Sequence, residues 1–210
     1  SDPNYRTLKL SVDTYNEPTT SYHHKSVGGY SAAKLRRYDD LIKHQLSKGN
    51  MSVINMLNTK YFITATEEGE LKAVPNPDAA GNAWFVEEVL WVDGAKAEME
   101  ALNYFDEKKT AVADKHFADK IPSILPQKSE GDTIYLTHYQ PNKLTYKSVS
   151  RNGGYAVFSE IYFPWGWQIT IDGEKVDMAR VNYVLRGLNI PAGEHDIEFC
   201  FEPTSLRVNT

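Results

Sequence analysis

The strongest constraint on the fold is the density of turn signals after Gly131. Asn152-Gly153-Gly154, Pro164-Trp165-Gly166, Asp172-Gly173 and Pro191-Ala192-Gly193 punctuate runs of alternating apolar and polar residues. Glycine and proline at such short intervals leave room for strands but not for helices. The runs are Thr133–Tyr139, Lys143–Val149, Tyr155–Tyr162, Trp167–Ile171, Lys175–Met178, Tyr183–Leu188 and His195–Phe201. Asp172-Gly173 between two of them is a two-residue hairpin signal. Short strands with regular turns predict a small, mostly antiparallel β-sandwich over 132–210.

Before that region the pattern is mixed. Leu8, Leu10 and Val12 alternate with polar residues, as in a strand spanning Arg6–Val12. Ser31–Ser47 places Leu35, Tyr38, Leu41, Ile42 and Leu46 at helical spacing, with Lys34, Arg36, Arg37 and Lys43 on other faces. Met51–Leu57 reads as a short helix leading into a strand at Lys60–Ala65. Ala83–Val92 is apolar enough for a buried strand. Asp93 caps an expected helix that runs to Asn103, with Ala97, Ala101 and Leu102 inward, and Thr110–Ala113 is a further short strand. This order predicts an α/β sandwich over 1–120. The Pro- and Ser-containing stretch 121–131 reads as a linker. The fold class expected is therefore α+β: an N-terminal α/β sandwich domain followed by a C-terminal antiparallel β-sandwich.

Composition narrows the function classes. The 210 residues carry 23 basic and 28 acidic side chains, a net charge of −5, which argues against a nucleic-acid partner. No apolar run approaches the about 20 residues needed to span a bilayer. The N-terminus has no basic region and apolar core of a signal peptide. It also lacks a Met, as expected of a processed or excised piece. The single Cys200 has no disulfide partner in the chain, and its apolar strand context predicts a buried, inert thiol. None of the histidines shows metal-ligand spacing, so no metal and no cofactor are expected. Neither a nucleophile elbow nor a phosphate-binding Gly loop is present, and no residue is assigned a catalytic role.

Two segments carry candidate chemistry. The first joins His24, Lys25, Ser26, Gly28, Gly29 and Tyr30 to Lys34, Arg36 and Arg37 at the start of the expected helix. Donors ahead of a helix N-terminus suit an anion such as a lipid phosphate. A plain solvated basic face uses the same residue types. The second is the aromatic turn with Tyr162, Trp165 and Trp167, together with Arg180, Tyr183 and Arg186. Aromatic rings stack on sugars, and arginines hold anions. Packing in a sandwich core and ordinary ion pairing are the competing readings.

The same segments carry a resemblance. Thr20–Tyr38, Asn55–Ile63, Asn76-Pro77 with Gly81–Val86, and Phe163–Trp167 through Asp172-Gly173, Asn182-Tyr183, Arg186–Leu188 and Pro191–His195 resemble, in order, motifs of the YfhO family of bacterial multi-spanning membrane proteins. Members look like glycosyltransferases that use lipid-linked sugars to modify cell-surface polymers. The resemblance implies that this chain is an extracytoplasmic region near the C-terminus, on the periplasmic or cell-surface side of the cytoplasmic membrane. It implies the membrane portion of the parent chain as partner, with a glycan or polyprenyl-phosphate sugar as ligand. The catalytic acid of such transferases is expected in an early extracytoplasmic loop outside this chain. Two other roles remain open from the residues: a stand-alone carbohydrate-binding module and a structural or protein-interaction domain.

Overall fold

The computed structural model describes residues 4–10, 26–27 and 36–202. In chain order the elements are β1 (Arg6–Lys9), α1 (Arg36–His44), α2 (Met51–Met56), β2 (Thr59–Ala65), β3 (Leu71–Pro75), β4 (Ala83–Val86), β5 (Glu88–Val92), α3 (Gly94–Ala101) and β6 (Thr110–Asp114). Then come β7 (Thr133–Gln140), β8 (Lys143–Ser150), β9 (Gly154–Ile161), β10 (Trp167–Ile171), β11 (Glu174–Lys175), β12 (Ala179–Val181), β13 (Leu185–Ile190) and β14 (Gly193–Phe201). The architecture is a β-rich α+β fold, as the alternation of the two patterns predicts.

Two sheets form the sandwich. One runs in the order β11-β10-β14-β8-β7 and the other β12-β13-β9-β4, all neighbours antiparallel. The aromatic centre between them is a mutual edge-to-face cluster of Tyr146, Phe158 and Phe199, with centroids 4.9–5.8 Å apart. The second sheet is buried on both faces, because strand alternation sends successive residues to opposite sides. Phe85, Ala156, Phe158 and Leu188 face the first sheet. Trp84, Val86, Tyr155, Val157 and Leu185 face a second core shared with Leu41, Leu46, Val53 and Leu57 of the helical segments and with Ala111 and Val112 of β6. β5 and β6 form a separate parallel pair, and β1, β2 and β3 form a third sheet.

Some expectations need correction. The 1–120 and 132–210 units are not separate in hydrogen bonding. β4 pairs with β9, Ala83 opposite Phe158 and Val86 opposite Tyr155, although the 121–131 stretch lies between them in sequence. The four residues Ala83–Val86 are apolar on both faces, which suits a strand covered on both sides. The expected single strand Ala83–Val92 breaks at Glu87, whose N–H turns to the Lys109 carbonyl at 2.7 Å, and its second half pairs in another sheet. β3 gave no signal because all five of its residues are exposed. The expected strand Lys175–Met178 is instead β11 and β12 around a connecting loop. Tyr183 belongs to a turn rather than to β13. Cys200 is only half-buried, since alternation in β14 gives the inward positions to Ile197 and Phe199. No helix among the described residues is long and apolar enough to cross a membrane.

Candidate functional site

The site is assembled from three places in the chain. α1 brings Arg36, Arg37 and Tyr38. The turn after β9 brings Tyr162, Phe163, Pro164 and Trp165, while β12 and the turn behind it bring Arg180 and Tyr183. Together they line a cleft of about 240 Å³.

Each group is held by a physical device. The Pro164-Trp165-Gly166 turn lies against Phe201. Gly166 has φ +79°, and a Cβ there would come within 2.6 Å of the Phe201 ring, so only glycine fits without displacement. The turn thereby lifts Trp165 outward, 70% exposed, with its ring edge-on to Phe163 at 5.3 Å. Tyr162 packs edge-to-face on Phe117 at 6.0 Å.

The opposite wall depends on a buried acid. Glu98 of α3 is fully buried. Its carboxylate accepts from Arg37 Nη1 at 3.0 Å, from Arg180 Nη2 at 3.4 Å and from the Tyr183 backbone N–H at 3.0 Å. Arg37 also stacks over the Tyr183 ring at 4.5 Å, and Arg180 over Phe117 at 5.0 Å. Asn182 and Tyr183 both have positive φ, +49° and +69°. That backbone is costly for a tyrosine. It is over-determined here. Asn182 donates its N–H to Val112 O and accepts the Val112 N–H on its side chain, both at 2.8 Å. Burial and the Asp40 and Glu98 carboxylates push the Tyr183 hydroxyl up against the pull of Arg37, so it remains a donor, 3.4 Å from Asp40 Oδ2.

The structure thus places Arg36, Arg37, Tyr162, Trp165, Arg180 and Tyr183 around one cleft. Among the remaining candidates, Ser26 bridges β1 through Thr7. His24, Lys25, Gly28, Gly29, Tyr30 and Lys34 lie outside the described residues. Trp167 and Arg186 sit beyond the turn, in a second cavity of about 330 Å³ that shares Ile161 and Phe163 with the first. Sequence reasoning missed Glu98. The helical pattern placed Ala97 and Leu102 inward, but nothing in an Ala-Lys-Ala-Glu-Met-Glu run distinguishes a buried Glu98 from the exposed Glu100. Among the described residues there is no cluster of three or more His, Cys, Asp or Glu placed to hold a metal.

The cleft can stack a ring against Trp165 and offer Arg36 to an anion. Arg37 and Arg180 are already committed to Glu98, so they shape the wall and add net positive charge. Fold and cleft together define a β-rich α+β chain with an aromatic–arginine groove at one end of its sandwich. Residues 121–210 match the family model described as "Bacterial membrane protein YfhO", which bears out the resemblance of the motifs from Phe163 to His195 to that family; the motifs before residue 121 lie outside the match. Neither a curated protein nor a solved structure matches the chain.

Proposed function

We propose that the chain is an extracytoplasmic portion of a multi-spanning membrane protein related to glycosyltransferases that use lipid-linked sugars. In this reading it positions an acceptor glycan or the phosphate of a polyprenyl-linked donor, and does not itself transfer sugar. The observation that carries the reading is the meeting, in one cleft, of two segments more than a hundred residues apart in sequence: Arg36–Tyr38 and Tyr162–Trp165. Trp165 offers a stacking face and Arg36 an anion contact. The Glu98 clamp holds the opposite wall rigid, which lowers the entropy cost of binding.

The purified chain is mixed with vesicles containing polyprenyl phosphate and with matched vesicles lacking it, then sedimented. Preferential binding to the polyprenyl vesicles that falls with Arg36→Ala and with Trp165→Ala supports the reading. Binding that ignores both substitutions refutes it, and so does sugar transfer by the purified chain alone; binding that ignores the phosphate removes the lipid donor and leaves the acceptor glycan. The exposure of Trp165 also favours a second reading, a carbohydrate-binding module independent of any lipid. Binding of free glycan with no response to polyprenyl phosphate marks that case.

A further inference from the structure

The second cavity has its own charge. It is lined by Pro141, Ile161, Phe163, Trp167, Phe201 and Arg186, so its walls are apolar and mostly aromatic. Arg186 is 3% exposed. Its guanidinium lies between two rings, 4.2 Å over Trp167 and 5.2 Å from Phe199. Its Nε–H donates to the Ile161 carbonyl at 3.1 Å, and Nη1 is buried with no acceptor among the described residues. No carboxylate among the described residues lies within ion-pairing distance of Arg186. Glu160 acts on it only from further away, and its carboxylate is taken by Asn4 Nδ2 at 2.7 Å. A desolvated guanidinium with spare donors is costly unless something accepts from it. Ring stacking offsets part of that cost.

We propose that this cavity is a subsite for the carboxylate of an acidic sugar. A carboxylate oxygen accepts a charge-assisted hydrogen bond from a guanidinium, and Arg186 is fixed for it by the Ile161 carbonyl and by the two rings that cover it. Arg186 is a single cation whose field Glu160 already weakens, so the single negative charge of a carboxylate suits the cavity better than the double charge of a phosphate. The Trp167 and Phe201 rings, with centroids 5.2 Å apart, supply the apolar faces that a sugar ring covers. Phe163 and Ile161 form a wall common to both cavities. An acidic residue over Arg186 therefore sits next to whatever occupies the Trp165 cleft. The proposal rests on the glycan reading above and adds the charge class of the glycan.

The test uses the ¹⁵N-Trp-labelled chain, with indole signals assigned by substitution, titrated with methyl β-glucuronide, methyl β-glucoside and inorganic phosphate. The expected result is a saturable shift of the Trp167 indole with the glucuronide, at least about tenfold tighter than with the glucoside. Arg186→Lys weakens it about tenfold or more, because the ammonium loses the ring stacking and the Ile161 hydrogen bond that fix the charge. Pro141→Trp, at an exposed hairpin position, fills the mouth and abolishes it while Arg186 and the melting temperature stay unchanged. Glucuronide and glucoside binding alike, phosphate binding as tightly as glucuronide, or binding that survives Pro141→Trp overturns the proposal. A saccharide shift at Trp165 without one at Trp167 removes this subsite and leaves the glycan reading standing. No shift at either ring removes both.

Discussion

Glu98→Gln is the most informative single change in the wall of the cleft. Glu98 is fully buried and holds three donors: two guanidinium groups and the N–H of a residue with positive φ. The amide oxygen of Gln can keep the Tyr183 N–H, but its NH₂ then faces Arg37 or Arg180 with no acceptor to offer. Breaking a buried ion pair from one side costs about 3–5 kcal/mol. Solvent reduces the Arg37 share, since that side chain is 32% exposed, whereas the Arg180 side chain is 15% exposed. A loss of about 3 kcal/mol is the reasoned value, at the low end of that range. At about 2–4 °C per kcal/mol for a chain of this size, the melting temperature falls by roughly 6–12 °C. Urea unfolding followed by tryptophan fluorescence and circular dichroism measures the free energy. Adding Arg180→Met to Glu98→Gln removes one stranded charge, so the double variant loses less than the sum of the singles. A Glu98→Gln loss under about 1 kcal/mol, or strict additivity, refutes the claim that this carboxylate holds the wall together.

Three further outcomes follow from the packing and charge. Gly187→Ala places a methyl group on the buried Tyr155 hydroxyl, and the overpacking costs about 1–3 kcal/mol in urea unfolding; an unchanged midpoint contradicts the packing described. His195 Nδ1 lies 2.6 Å from Asp172 Oδ2 and Nε2 lies 3.0 Å from Ala192 O, so the imidazolium form satisfies both contacts. The Asp172 hydrogen bond raises the His195 pKa, and the His195 bond lowers that of Asp172. The His195 contribution is therefore complete below its unfolded value of about 6.5 and is lost as pH rises through the higher folded value, while the Asp172 contribution is lost as pH falls below the carboxylate range. Asp172→Asn should destabilise the chain at pH 5.5 and matter less at pH 9, and an equal effect at both pH values contradicts the pairing. Trp165→Ala should leave stability within about 0.5 kcal/mol, because the side chain is 70% exposed, and any larger loss in a thermal melt would reassign Trp165 from ligand contact to packing.

The sandwich was legible because its signals are local. Asp172-Gly173 and Pro191-Ala192-Gly193 mark turns whatever surrounds them, and β8, β10 and β14 alternate cleanly about one buried face. β4 was legible as a strand but not as a partner of β9, since pairing across the intervening residues is set by packing rather than by neighbours in sequence. Tyr183 reads as a strand residue in sequence because tyrosine is a strand former by propensity. Its left-handed backbone is imposed by Val112 of β6, which pairs with Asn182, and by Glu98 of α3, and both approach from other elements. In sequence the candidate residues fall into two separate groups, and only tertiary structure reveals which share a cleft. Trp167 looks equivalent to Trp165 in sequence, yet the turn at Gly166 sends the two rings to different cavities.

Photo-crosslinking tests directly whether the cleft between Arg36 and Trp165 takes the phosphate of a lipid-linked donor, as proposed above. A polyprenyl phosphate carrying a photoreactive group next to the phosphate is irradiated with the chain, and the labelled peptides are mapped by mass spectrometry. Label is expected on Tyr162–Trp165 and on Arg36–Tyr38, competed away by unmodified polyprenyl phosphate and reduced by Arg36→Ala. Label that is not competed, or that falls on neither segment, contradicts that reading.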